Sequence, residues 1–230
     1  PHVRKVFVNS GIRYDLADLD PTFVEELVEH HVQGQLSVAP EHASSGSLSM
    51  MKKPEIKYFT RFMERFRAAN KRAGKEQFLV PYFLCAHPGT GPEETIALAL
   101  YMKRHKLRPR QVQMFMPTPA TLATAMYVSG KDPYTKQPVY VAKGARERGR
   151  QRALLFWWKK EEWPHVREAL MAWGRGDLIG RGPDHLVPAG PHYGSDDKRA
   201  KRSTSTEVRF DTHMGMRVER ATGQEEREEN

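Results

Sequence analysis

The chain has 230 residues, 39% of them apolar, and carries a net charge of +9 at pH 7. That is long enough to bury a sizeable core, but a mean hydropathy of -0.68 leaves part of the chain too polar to pack. One cysteine, Cys85, excludes an internal disulfide and a cluster held by this chain's thiols alone. No apolar run approaches the roughly 18 residues of a membrane span. Together with the single thiol, this sets the expectation of a cytoplasmic location without membrane contact.

In chain order, four apolar, β-branched or aromatic runs read as strands: Lys5–Val8, Leu36–Ala39, Phe78–Leu84 and Val112–Met116. Helical patterns separate them. Asp20 can cap a helix beginning at Pro21, with Val24, Leu27, Val28 and His31 on one face. Phe59, Phe62, Met63 and Phe66 recur at helical spacing, and Gly74 can end that helix. A third helix starts near Pro92 behind two acids, Glu93 and Glu94. Short apolar strands alternating with helices imply a parallel sheet covered by helices. Four such units are too few for a closed eight-stranded barrel. The chain opens almost directly on a strand and has no initiator Met, which points to missing strands upstream.

From Val128 onward the pattern changes. Ser129-Gly130-Lys131-Asp132-Pro133 is turn chemistry. A basic helix is expected over about 145–160, with Arg146, Arg148, Arg150 and Arg152 near its start. Trp163-Pro164 breaks or restarts it, and Val166, Ala169, Leu170 and Trp173 stripe a shorter helix ended by Gly174. Residues 143–181 hold 10 basic against 5 acidic residues, net +5, the densest positive charge in the chain. The polar stretch 195–230 is expected to be disordered.

Four loops follow the four strands, and in a parallel sheet all would lie on one rim, where α/β proteins bind ligands. They carry Arg13 and Asp15, then Pro40, Glu41 and His42, then His87, Pro88 and Gly89, then Met116 and Pro117. This mixture suits a polar cofactor: Arg for a carboxylate, Glu for hydroxyls or an amine, backbone groups for a base. Ordinary capped turns would look the same. Gly89-Thr90-Gly91 meets neither the dinucleotide nor the phosphate-loop pattern and reads as a helix cap. His30 and His31 are adjacent on a helix, so their side chains diverge by about 100° and chelate poorly. Cys85 sits in an apolar strand and reads as inert packing.

Several stretches, taken together, resemble the YgiQ-like family of radical S-adenosylmethionine (SAM) proteins. They are Phe7-Val8-Asn9-Ser10-Gly11-Ile12-Arg13-Tyr14-Asp15-Leu16, Ser37-Val38-Ala39-Pro40-Glu41-His42, Gly74-Lys75-Glu76-Gln77, and Pro81-Tyr82-Phe83 through His87-Pro88-Gly89-Thr90. The match continues in Gln111-Val112-Gln113, Met126-Tyr127, Gly130-Lys131-Asp132-Pro133, Trp163-Pro164, Glu168-Ala169-Leu170 and Leu178-Ile179-Gly180. It covers roughly residues 3–190.

The resemblance implies an α/β fold, a partial (β/α)6 barrel with a helical C-terminal extension. It also implies a 4Fe–4S cluster on a Cys-x3-Cys-x2-Cys motif, with SAM on the open iron, where reduction would cleave it to methionine and a 5′-deoxyadenosyl radical. That motif is absent from this sequence. The expected organisation is 1–128 as the later part of the barrel, 129–194 as a basic helical extension and 195–230 as a charged tail. Its partner would be the missing N-terminal part of the same polypeptide. Alone, the chain would contribute part of the SAM cavity without the cluster ligands and would be inactive. The resemblance points to Arg13, Glu41, His42, His87, Gly89 and Met116 as cofactor-binding residues. It names no catalytic residue, no metal ligand and no substrate.

Two rivals stand beside this reading. One is a nucleic-acid- or ribosome-binding module without catalysis, acting through Arg146, Arg148, Arg150 and Arg152 and the neighbouring aromatic residues. The other is a metal-independent α/β enzyme that uses the same rim.

Overall fold

Among the described residues, three parallel strands in the order β1-β2-β3 organise the fold. The computed structural model describes residues 3–20 and 22–190. The short helices α1 (Tyr14–Ala17) and α2 (Phe23–Glu26) lead through a π-helical turn, Leu27–His31, to β1 (Gln35–Glu41). Then come α3 (Ser45–Met50), α4 (Ile56–Ala73), β2 (Phe78–Cys85), α5 (Pro92–Arg104) and β3 (Gln113–Met114). After β3 come α6 (Leu122–Ser129), α7 (Ala145–Leu154) and α8 (Trp163–Ala172). This alternation is the mixed α/β pattern expected from the sequence.

β1 buries every second residue, Leu36, Val38 and Pro40, as a pleated strand does when one face packs on a core. Gln35 pairs with Phe78 and Val38 with Pro81, and the register then shifts before Glu41 meets Phe83. β3 pairs Gln113 with Leu84 and Met114 with Cys85.

Two apolar clusters hold the helices to the strands. In one, α4 lays Phe59, Phe62, Met63, Phe66 and Ala69 against Tyr14, Val24, Leu27 and Val28, with Leu36 and Val38 of β1. α4 ends as its sequence suggests: Gly74 takes the left-handed conformation (φ 62°) that a side chain would resist, and the Lys75 amide donates to the Asn70 carbonyl. In the other cluster, Phe83 and Cys85 of β2 pack with Ile96, Ala99 and Met102 of α5, Leu154 of α7 and Leu170 of α8. Segment 145–187 therefore shares a core with β2 and α5.

Four expectations need correction. Lys5–Val8 is not a strand. The Val8 amide donates instead to the His31 carbonyl at the π turn, and the segment meets β1 only later, through a single bridge from Ile12 to Val38. Without a ladder partner an apolar run has no reason to stay extended, and Val3 and Val6 are exposed. The fourth run, Val112–Met116, is regular only over two residues, although the Phe115 amide still bonds to the Cys85 carbonyl. The wider turn Leu27–His31 rotates His31 off the buried stripe, and its ring meets the Val6 carbonyl instead. The basic helix stops at Leu154, not near 160: i→i+3 bonds tighten the end, and Trp163 Nε1–H caps the Trp157 carbonyl at 3.0 Å. The expected helix start at Pro21 and the tail 195–230 lie outside the described residues.

Phe62 is fully buried between α4 and α1, so Phe62→Ala is expected to cost about 3–5 kcal/mol in urea denaturation. Val6→Ala, at an exposed position, should stay within about 0.5 kcal/mol.

Candidate ligand rim at the carboxyl ends of the strands

Parallel pairing of β1 with β2 sets Glu41 beside Phe83, so the loop that begins with His42 starts next to the one that begins with Ala86. The loop from Met116 follows from β3, paired to β2 at Cys85. Each of the three turns contains one residue other than glycine in the left-handed region: Glu41 (φ 65°), Ala86 (φ 60°) and Ala120 (φ 62°). Such backbone costs of order 1–3 kcal/mol per residue and survives only where the surroundings impose it, commonly at binding sites.

Two histidines meet at this rim. His42 is fully buried, and its Nδ1 accepts from the Ser44 amide at 3.0 Å, which assigns the proton to Nε2. That Nε2–H has no hydrogen-bond partner among the described residues. Burial, with a smaller contribution from His87, pushes the His42 pKa down to about 3, so the ring is neutral at physiological pH. His87 is also buried. Its Nδ1 lies 2.7 Å from the Pro88 carbonyl, which can only accept, so the lone pair is on Nε2. Burial lowers its pKa as well. The ring packs edge-on against Phe115 at 5.2 Å. The pair thus offers an uncharged donor, His42 Nε2–H, and an uncharged acceptor, His87 Nε2.

Glu41 is largely buried, and burial raises its pKa although Lys53 Nζ lies 3.4 Å away. Arg13 spends Nε and Nη2 on Asp15, at 2.8 and 2.6 Å, which lowers the Asp15 pKa. Met116 is 76% exposed after β3. Gly89 (φ 83°) has its amide on the Tyr140 carbonyl and its carbonyl on Ser47 Oγ, and a Cβ there would lie 2.7 Å from Met50 Cγ. Gly91 is a helix cap: its amide donates to the Glu94 carboxylate at 2.9 Å. The structure therefore gathers Glu41, His42 and His87 along one pair of strands. It leaves Arg13 engaged with Asp15, Gly89 engaged through its backbone and Met116 open.

The sequence did not point to Lys53, Ser47 or Gln151, and it named Thr90 only as part of the loop after β2. Ser47 Oγ and Thr90 Oγ1 are buried 3.1 Å apart between α3 and the turn after β2. Gln151 reaches that same turn from α7. Only Gln151, an uncharged polar residue among arginines on a buried helix face, carried a faint signal. Cys85 is buried, with its thiol pushed up to about 11, so at neutral pH it is no nucleophile. The four arginines of α7 all have partners within the chain. Arg146 and Arg150 hold Glu168 at 2.8 and 3.2 Å, Arg152 holds Glu162 at 3.2 Å, and Arg148 donates to the Phe115 carbonyl at 2.7 Å.

Comparison with known proteins fixes the family. Residues 110–229 match the model of a domain of unknown function, DUF3362. The chain is 42% identical over 225 residues to the UPF0313 protein YgiQ of Escherichia coli, covering 96% of this chain and 30% of YgiQ. The chain belongs to the UPF0313 family, YgiQ among its members. It is also similar to UPF0313 proteins of Rhodopseudomonas palustris, at 44% identity over 94% of the chain, and Pseudomonas aeruginosa, at 46% over 90%. It spans about a third of the length of these UPF0313 relatives, 33% and 28% respectively. Among the described residues, no helix is long and apolar enough to cross a membrane.

A histidine held neutral by burial penalises folding once the unfolded chain begins to protonate. His42 has its unfolded pKa near 6.5 and its folded pKa at about 3. Stability is therefore full above pH 6.5 and declines as pH falls from there toward 3. His42→Phe should flatten this decline relative to wild type, measured as the urea midpoint at a series of pH values.

Proposed function

We propose that this chain forms part of the SAM-binding wall of a radical SAM enzyme whose cluster ligands lie elsewhere in the longer polypeptide. The observation that carries the reading is the neutral His42 Nε2–H, without a hydrogen-bond partner among the described residues and buried beside Glu41 at the carboxyl end of a parallel strand. A buried donor left unpaired costs roughly 1–3 kcal/mol, which a bound acceptor would recover. A three-stranded parallel sheet is compatible with the later strands of a (β/α)6 barrel. Membership of the UPF0313 family lends the reading its sequence support.

The residues fit the cofactor's chemistry. The Glu41 carboxylate suits an ammonium or the ribose hydroxyls, the His42 donor a ring nitrogen or an oxygen, and the exposed Met116 a base. Arg13 keeps Nη1 for a carboxylate while Asp15 holds its other edge. When bound and reduced, SAM supplies a radical that abstracts hydrogen. The part of this chain is to orient and desolvate: the buried imidazoles and Phe115 keep water from one side of the rim.

Full-length protein prepared without oxygen should show iron–sulfur absorbance and bind S-adenosylhomocysteine in calorimetry. Glu41→Gln should weaken that binding about tenfold, since a hydrogen bond to a charged group is lost. No absorbance and no binding would refute the assignment.

The alternative, a basic module for nucleic acid or the ribosome, rests on a groove of about 390 Å³ lined by Arg146, Arg150, Arg152 and His165. Its support is weaker, because Glu162 and Glu168 line the same groove and already hold these guanidinium groups. If RNA binds there, replacing the four arginines of α7 flattens the dependence of log affinity on log salt; an unchanged slope rejects it.

A further inference from the structure

We infer that the helix α7 of the DUF3362 region is a clamp on the ligand rim, with Gln151 as its positioning residue. The matched region starts at residue 110, so β1, β2 and the turn at 86–90 lie outside it. Gln151 crosses that boundary twice. Its Oε1 accepts from the Ala86 amide at 2.9 Å, and its Nε2 donates to the Thr90 carbonyl at 2.8 Å. The side chain is fully buried, so neither bond can be exchanged cheaply for water. One planar amide thereby fixes both ends of the five-residue turn that carries His87.

Other bonds act in the same sense. The Gly89 amide, within the turn, donates to the Tyr140 carbonyl at 2.9 Å, again from the matched region. Arg148 lies three residues before Gln151 and so on the same helix face. It donates to the Phe115 carbonyl at 2.7 Å, at the start of the neighbouring rim loop. The Phe115 ring packs on His87. Two loops of the rim are therefore set by one face of α7.

The clamp also accounts for strain. Ala86 takes φ 60°, which an alanine adopts only under constraint, and the side-chain Oε1 of Gln151 holds the amide of that residue. Burying an amide in an apolar cluster merely to fill space would favour a leucine or methionine at this position. Gln151 instead has its acceptor and its donor matched to the two backbone groups that bracket the turn.

The inference rests on the rim being a SAM site only for its ligand arm; the structural arm stands alone. The test is amide hydrogen exchange and S-adenosylhomocysteine calorimetry on the full-length protein carrying Gln151→Met, a change close in volume that removes both bonds, and Gln151→Glu. In Gln151→Met, exchange across 86–90 is expected to accelerate about tenfold or more while the α4 and α5 amides keep their rates, and affinity to fall about tenfold. In Gln151→Glu, a buried carboxyl regains the donor when protonated. After correction for intrinsic rates, and relative to wild type at the same pH because His42 and His87 weaken the fold in this window, protection of 86–90 should therefore rise as pH is lowered toward 5. That pH profile separates positioning from plain packing and remains readable if the methionine variant fails to fold. Unchanged exchange at 86–90, or equal acceleration in α5 and α8, overturns the clamp. Faster exchange with unchanged affinity overturns its bearing on the ligand. A wild-type protein that binds no S-adenosylhomocysteine defeats the radical SAM reading instead, and the clamp is then decided by exchange alone.

Discussion

Parallel pairing joins β1 to β2 from Gln35 opposite Phe78 onward. It brings Glu41 level with Phe83, and with that the turns beginning at His42 and Ala86 start side by side. Antiparallel pairing would send those turns to opposite ends of the sheet. Everything distinctive about the rim follows: two buried imidazoles, a carboxylate partly stripped of water and three left-handed turn residues.

Burial then sets the chemistry. Both imidazoles are neutral because an apolar surrounding penalises the charged form, and the backbone groups at Ser44 and Pro88 choose the tautomers. The result is a donor and an acceptor without charge. In the same surroundings the Cys85 thiol loses its acidity. Burial is thus the leading cause of all three shifts: it holds the two imidazoles neutral and leaves the Cys85 thiol, packed in the cluster of α5, α7 and α8 on β2, as filling.

The C-terminal region looked separable in the sequence because its charge and its punctuation change near Val128. Packing unites it with the sheet. Leu154 and Leu170 complete the cluster around Phe83 and Cys85, and Gln151 and Arg148 bond to the rim itself. The arginines that made this stretch resemble a nucleic-acid surface are spent largely on Glu162 and Glu168, residues 10 to 22 positions away that only the fold of α8 against α7 brings near.

Where periodicity and local chemistry decide, the sequence was sufficient. The α4 stripe of Phe59, Phe62, Met63 and Phe66, its stop at Gly74, the cap at Gly91 and the alternation of strands with helices were all legible, because each depends on residues within one or two turns of each other. The rim residues Glu41, His42 and His87 were legible too, since residues after parallel strands share a rim. Long-range partners decided the rest. Lys5–Val8 has the composition of a strand but, among the described residues, no strand pairs with it, and its contacts go to His31 instead. Arg13 prefers the carboxylate two residues away. Gln151 becomes meaningful only when α7 crosses to the turn at 86–90, 61 to 65 residues earlier in the chain. A hydrogen bond needs both partners within about 3 Å, and no local pattern specifies a partner that arrives from a distant element.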